Sequence, residues 1–377
     1  MRDVLTAARE ELGAVLAVLG AGAILGLLAG FVFDGSGGTR TVTGSAAVPA
    51  VVSTAGRSAD SPESAAATVD PAAHAPAYVQ QWKGPLGDAL QQGAELAEFK
   101  GGFVAAAIWV DGWSEPIVAG DNAERVGRLW SMSKPVATIA LLEALEARGE
   151  HPSHNLTTAI HWAVTASDNC AMRYIELQLQ DVAGSDSAAL SLFQGVLHQA
   201  GIYRTVTVTP APDTPGTCNQ PLPWGPIEPA LSSLQFGTYT WQIRDAVAFA
   251  HALIDGVYGD AGRLVARQMR LAKQYAPSSS PADYTAPLDE PPSGGNVFPA
   301  GWHPGYKGGW GGSTQDDFVA GQIVILNIAG VRIGLAAEFW PTVEPSSDDP
   351  GKTVAPQALE DLFKNVSVKL HQLEAQQ

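Results

Sequence analysis

Ser131, Met132, Ser133 and Lys134 stand immediately before a strongly hydrophobic helical pattern. Ser131 and Lys134 are three positions apart, so one helical turn sets both side chains on the same face. A serine hydroxyl is a weak nucleophile until a neighbouring base takes its proton. A lysine can be that base where burial and nearby cations lower its pKa. A helix N-terminus adds a positive end and free N–H groups where an oxyanion would develop. The chemistry of such a pair is acyl transfer through a serine ester. Alone the S-x-x-K pattern is weak, because any helix start with an exposed lysine matches it. It occurs once in this chain, ahead of a helix too apolar to leave a lysine in water.

Two further groups are weak alone. Ser167-Asp168-Asn169 begins 36 residues after Ser131. These residue types favour a helix-capping turn, which is the plain reading of the tripeptide. Lys307-Gly308-Gly309 lies just ahead of the carboxy-terminal apolar runs, yet Lys100-Gly101-Gly102 repeats the pattern upstream.

Several elements must position these groups. Residues 103–110 are continuously apolar and read as a buried strand, with 116–120 as a pairing partner. Residues 136–145 are apolar except for Thr138 and Glu143, the mark of a helix buried on all sides, and Gly149 suits its close. Helical patterns continue to about Lys273, broken by a Pro- and Thr-rich loop over 205–234. Ile243, Ala246, Val247, Ala250 and Leu253 recur at helical spacing after Thr240, a candidate N-cap. Residues 275–304 read as a second loop. Residues 319–329 and 331–339 form two apolar strands about a tight turn at Gly330. Leu359, Leu362, Phe363, Val366, Leu370 and Leu373 mark a closing amphipathic helix. The order of strands, helices, strands and helix predicts an α+β fold, with one sheet built from both chain ends and a helical insertion between its halves.

Taken in order, S-x-x-K at a buried helix start, S-D-N in a helical region and K-x-G entering the last strands resemble the serine β-lactamases and penicillin-binding proteins, the DD-peptidase-like superfamily. The resemblance runs from Tyr78 to Gln372, and the stretch Thr165-Ala166-Ser167-Asp168-Asn169-Cys170-Ala171 carries much of it. It implies an antiparallel sheet and roles for the matching residues. Ser131 would attack a carbonyl, Lys134 would accept its proton, and Ser167 would relay a proton to the leaving nitrogen. Asn169 would bind a substrate amide and fix Lys134. Lys307 would keep the site electropositive. The backbone N–H groups of Ser131 and Trp310 would form the oxyanion hole.

Three departures from that family stand out. The short interval between Ser131 and Ser167 omits a segment usual in class A β-lactamases and implies a more open site. Gly308 replaces the usual hydroxyl residue beside Gly309, and losing a hydrogen bond to a charged group costs roughly 1.5–3 kcal/mol. The deacylating glutamate has no secure counterpart; Glu228, in Glu228-Pro229-Ala230-Leu231-Ser232, echoes its context but lies 59 residues past Asn169. A surface loop carboxylate is the plainer reading of Glu228.

The rest of the sequence bounds the setting. The chain has 377 residues and a formal net charge of −16, which leaves no basic surface for nucleic acid. Residues 12–33 carry no charge and would span roughly 33 Å as a helix, enough for a hydrocarbon core. Arg2 and Arg9 precede this stretch, which favours a cytoplasmic amino terminus. The expected organisation is a cytoplasmic stub and transmembrane anchor over 1–33, a disordered linker over 34–77, and a serine hydrolase domain over 78–377 outside the cell membrane. Gly22, Gly26 and Gly30 form a small-residue face that can pair two membrane helices. Cys170 and Cys218 are the only cysteines, expected either as a disulfide in an oxidising compartment or as two buried thiols. No cofactor or metal is expected: His151, His154 and His161 have no carboxylate at ligand spacing. The acyl donor would be a cell-wall peptide, such as a D-alanyl peptide, or another amide or ester. A β-lactam-hydrolysing enzyme and a catalytically idle envelope-binding protein are the alternatives.

Overall fold

Apolar residues at consecutive positions, rather than alternate ones, demand a sheet covered on both faces. The computed structural model, which describes residues 76–203, 223–224, 239–272, 297–311, 318–342 and 350–377, contains such a sheet. Its strands are β1 (Gly102–Val110), β2 (Ile117–Ala119), β5 (Gly305–Gly311), β6 (Val319–Ile328) and β7 (Val331–Pro341). They lie in the order β2-β1-β7-β6-β5, and all neighbours are antiparallel. The first strands of the domain therefore join the last ones. A separate two-stranded ribbon pairs β3 (Val126–Arg128) with β4 (Thr240–Gln242).

The β6–β7 hairpin turns through Ala329 and Gly330, both with positive φ, and pairs Ile328 with Val331. Positive φ at both central residues matches the twist of a two-residue hairpin. Asn327 Oδ1 accepts from the Gly330 N–H at 3.0 Å.

Helices cover both faces. On one side lie α1 (Lys83–Glu98) and α8 (Pro350–Glu374), which bury Leu86, Leu90, Leu359, Leu362, Phe363, Val366 and Leu370 against the sheet. The chain leads into α1 through a 3-10 turn, Ala77–Trp82, whose Val79 and Trp82 join the same core. On the other side lie α2 (Ser133–Ala147), α3 (His154–Thr165), α4 (Asn169–Ala183), α5 (Asp186–Gln199), α6 (Ile243–Asp255) and α7 (Gly259–Leu271). Burial along α2 runs from Ser133 to Leu142 without a break. Pro135 sits in its first turn, where the missing N–H is not needed. Beyond its end Gly149 is left-handed and donates to Glu146.

One expected cap is replaced. Thr240 lies in β4, and α6 starts instead from Gln242, whose N–H donates to Asp245 Oδ2 at 3.0 Å in a capping box. The pairing of β4 with β3 extends the strand past Thr240 and moves the helix start. The expected anchor, the linker and the glycine face at Gly22, Gly26 and Gly30 lie outside the described residues, apart from Pro76 and Ala77. Among the described residues no helix is long and apolar enough to cross a membrane.

Candidate active site

Ser131 occupies the middle of a 3-10 turn, Trp130–Met132, that feeds directly into α2. It is half-buried. The turn is held from below: the Met132 N–H donates to Leu129 at 2.9 Å, and Leu129 N–H donates to Tyr239 at 2.9 Å. Trp130 has a φ of +44°, a left-handed conformation that a tryptophan adopts only when its surroundings impose it. Ser133, the other serine of the motif, is fully buried and donates its hydroxyl to Trp130 O at 2.7 Å. That hydroxyl is committed to the turn.

Lys134, one turn on, has no exposed surface. Its Nζ donates to Asn169 Oδ1 at 2.8 Å and to Ser167 O at 2.5 Å, and reaches Ser167 Oγ at 3.3 Å. Burial lowers its pKa to about 7, against the opposing pull of the Asp168 and Glu176 charges. A lysine so placed exchanges its proton near neutral pH, as a general base must.

The S-D-N tripeptide divides its labour. Asp168 caps α4, accepting from the Ala171 N–H at 2.6 Å, so the capping expectation holds for the middle residue. The capping turn places Ser167 at a φ of +57° and aims both flanking residues at Lys134. Lys307 arrives from β5, the edge strand of the sheet, and donates to Ser167 Oγ at 2.8 Å and to Gly308 O at 2.7 Å. Burial pushes its pKa well down, with the Lys134 charge adding to the effect. Two buried amines around one hydroxyl hold one proton more readily than two.

Gly309 completes the arrangement. A Cβ there would lie 2.7 Å from Leu129 O, 2.9 Å from Met132 N and 3.0 Å from Ser131 N. Only a glycine lets β5 pass this close to the Ser131 turn, which brings the β5 backbone beside the Ser131 N–H. Trp310 follows on the strand with its side chain half exposed. Gly308 pairs with Gln322 of β6.

The structure thus gathers Ser131, Lys134, Ser167, Asn169, Lys307, Gly309 and Trp310 in one region. Lys100-Gly101-Gly102, the competing K-x-G, lies between α1 and β1 and pairs Lys100 with Asp361 at 3.0 Å. Glu228 and Cys218 lie outside the described residues. Cys170, in the first turn of α4, is disulfide-bonded. Sequence reasoning missed several buried carboxylates, among them Glu176 and Glu338. Glu176 pairs with Arg173 at 3.3 Å and sends its charge to Lys134. Its i, i+3 spacing from Arg173 was the available signal. Glu338, alone among apolar neighbours on β7, gave no signal but its oddity.

No protein-family model matches the chain, and no curated protein matches it. Solved structures do. A β-lactamase from Sphaerobacter thermophilus DSM 20745 matches with a TM-score of 0.50 at 14% identity, covering 77% of this chain and 98% of its own. A class A β-lactamase from Mycobacterium abscessus gives 0.46 at 15% identity, over 73% and 98%. At these identities the fold is what is shared.

Proposed function

We propose that this chain, whose fold is that of the serine β-lactamase and DD-peptidase-like superfamily, is a serine hydrolase or acyltransferase working through an acyl-enzyme on Ser131. The observation that carries the reading is the buried Lys134, poised to titrate near pH 7 and bonded to both Ser167 and Asn169 one turn from Ser131.

In this reading neutral Lys134 takes the Ser131 proton as Oγ attacks the acyl carbon. The carbonyl oxygen becomes an oxyanion beside the Ser131 and Trp310 N–H groups. Ser167, held by Lys307, passes a proton to the leaving nitrogen or oxygen. Water or an acceptor nucleophile then takes the acyl group from Ser131. The substrate class is an amide, peptide or ester, with cell-wall D-alanyl peptides as the natural candidate. The apolar stretch over 12–33 would anchor the domain outside the cell membrane, and Gly22, Gly26 and Gly30 would allow dimerisation there.

A serine-reactive fluorophosphonate separates this enzyme from an idle binding protein on the same fold. Ser131→Ala is expected to abolish labelling. Ser133→Ala is expected to retain most of it, since it removes one structural hydrogen bond worth about 1 kcal/mol. Full labelling of Ser131→Ala would move the nucleophile elsewhere.

The solved relatives are β-lactamases, which makes β-lactam hydrolysis the second reading. Class A β-lactamases make deacylation fast with a glutamate that activates water. Among the described residues, the two carboxylates whose charges reach Lys134 are occupied: Asp168 caps α4 and Glu176 pairs with Arg173. A penicillin is therefore expected to leave a long-lived adduct on Ser131, visible by intact mass, because general-base help is worth about 10²–10⁴-fold in rate. Rapid hydrolysis that Glu228→Gln removes would establish the second reading instead.

A further inference from the structure

We infer that Glu338 is a positioning residue for the Ser131 turn, its side chain tying the ribbon that leads into that turn to the main sheet. The inference deepens the serine hydrolase reading and rests on it for its rate measurement.

The geometry is a row across the sheet. Glu338 of β7 pairs with Gly321 of β6, and Gly321 pairs with Gly309 of β5, the glycine that abuts Ser131 N. Glu338 has no exposed surface and lies on the face of β7 shared by Ala336 and Trp340, toward the helices that carry the site. Its Oε1 accepts from Trp241 Nε1 of β4 at 2.9 Å, across 97 positions of sequence. Its Oε2 lies against β3, where a Cβ on Gly127 would come within 2.5 Å. Gly127 is four residues before Ser131. On the sheet side a Cβ on Gly321 would come within 3.0 Å of Glu338 Cγ and 2.6 Å of Met132 Cε. One side chain thus touches both strands of the ribbon and the strand beneath the nucleophile turn.

Oε2 has no hydrogen-bond partner among the described residues. Each element packed around the carboxyl contributes little to hold an anion. Gly127, Gly321 and Met132 carry no charge, and β1 offers Ala105 opposite. Trp241 donates one hydrogen bond. Arg125, over the Trp340 ring at 4.8 Å, supplies a positive charge, while Asp245 at the start of α6 supplies a negative one. Burial dominates and, with Asp245, outweighs Trp241 and Arg125, so the carboxyl stays protonated up to about pH 8. Above that, a charge on Oε2 is relieved only if water enters or the ribbon moves off the sheet. Either response shifts the chain four residues ahead of Ser131.

The test follows fluorophosphonate labelling of the full chain across pH. In the wild-type chain the rate should rise as Lys134 loses its proton near pH 7. It should then fall about tenfold one pH unit above the Glu338 midpoint. Glu338→Gln keeps an oxygen for Trp241 and cannot ionise, so its rate should stay on the plateau. Trp241→Phe removes the bond that favours the anion, so its alkaline fall should move to higher pH. An alkaline fall in Glu338→Gln equal to that of wild type would overturn the inference. If the wild-type chain shows no Ser131-dependent labelling, the hydrolase reading fails and near-UV circular dichroism decides Glu338 separately. A change centred near pH 8 in wild type supports its role; an aromatic signal that does not vary with pH overturns it.

Discussion

Lys134→Met is expected to slow acylation of Ser131 by about 10²–10⁴-fold, the usual worth of a general base. In the wild-type chain the acylation rate should rise with pH through about 7. The sign follows from burial. Desolvation is the largest influence on Lys134 and lowers its pKa to about 7; Asp168 and Glu176 oppose it without reversing it. Below that pH the amine is protonated and cannot accept the Ser131 proton. Above it the amine is neutral and still bonded to Asn169 and Ser167.

The same shift predicts a stability signature. An unfolded lysine titrates near 10.5, so between about 7 and 10.5 the unfolded chain binds more protons than the folded one. The contribution of this group to stability therefore rises with pH across that window. Lys134→Met should show a smaller rise than wild type when thermal unfolding is followed from pH 7 to 10, the remainder coming from Lys307, whose pKa burial also lowers. The measurement pairs this with labelling rates. A methionine variant that labels at near wild-type rate would remove Lys134 from the mechanism, whatever its stability.

Gly309→Ala is the second large effect. Its added Cβ would fall 2.7 Å from Leu129 O and 2.9 Å from Met132 N, and backbone atoms have no rotamer by which to withdraw. Either β5 or the Ser131 turn must shift. Overpacking of this kind costs about 1–3 kcal/mol, read as a lower melting temperature. Displacing β5 from the Ser131 N–H should also remove one oxyanion donor, worth roughly 10²–10³-fold in acylation rate. Gly301→Ala is the control, because nothing lies within 4 Å of its added Cβ. A Gly309→Ala chain that labels like Gly301→Ala would show that β5 has no part in the oxyanion site.

Residues 103–110, 136–145, 319–329 and 331–339 announced their elements because each is predominantly apolar with no alternation, and each emerges as a buried strand or helix. The closing helix was equally plain, since its six spaced apolar residues are the ones that face the core. The ribbon of β3 and β4 was not legible. Each strand has three residues, too few to show a period, and their pairing spans more than a hundred positions. That pairing also displaced the expected cap from Thr240 to Gln242.

For the site, spacing along the chain alone determined that Ser131 belongs with Lys134. Ser131 and Lys134 share a helical turn, and that local geometry needs no tertiary information. The tertiary structure decided everything that depends on distance through space. It chose Lys307 over Lys100, because only β5 runs along the edge of the sheet beside the S-D-N turn. It gave Asp168 the capping role and left Ser167 and Asn169 for Lys134. It lowered the Lys134 pKa, since desolvation depends on what the fold packs around an amine. Glu338 makes the division clearest. In sequence it is one carboxylate in an apolar strand; in the fold, register sets it opposite Gly321 and against Gly127, beneath the turn that carries Ser131. Spacing along a chain fixes neighbours within a turn of helix, whereas contacts between strands from opposite ends exist only once the sheet has closed.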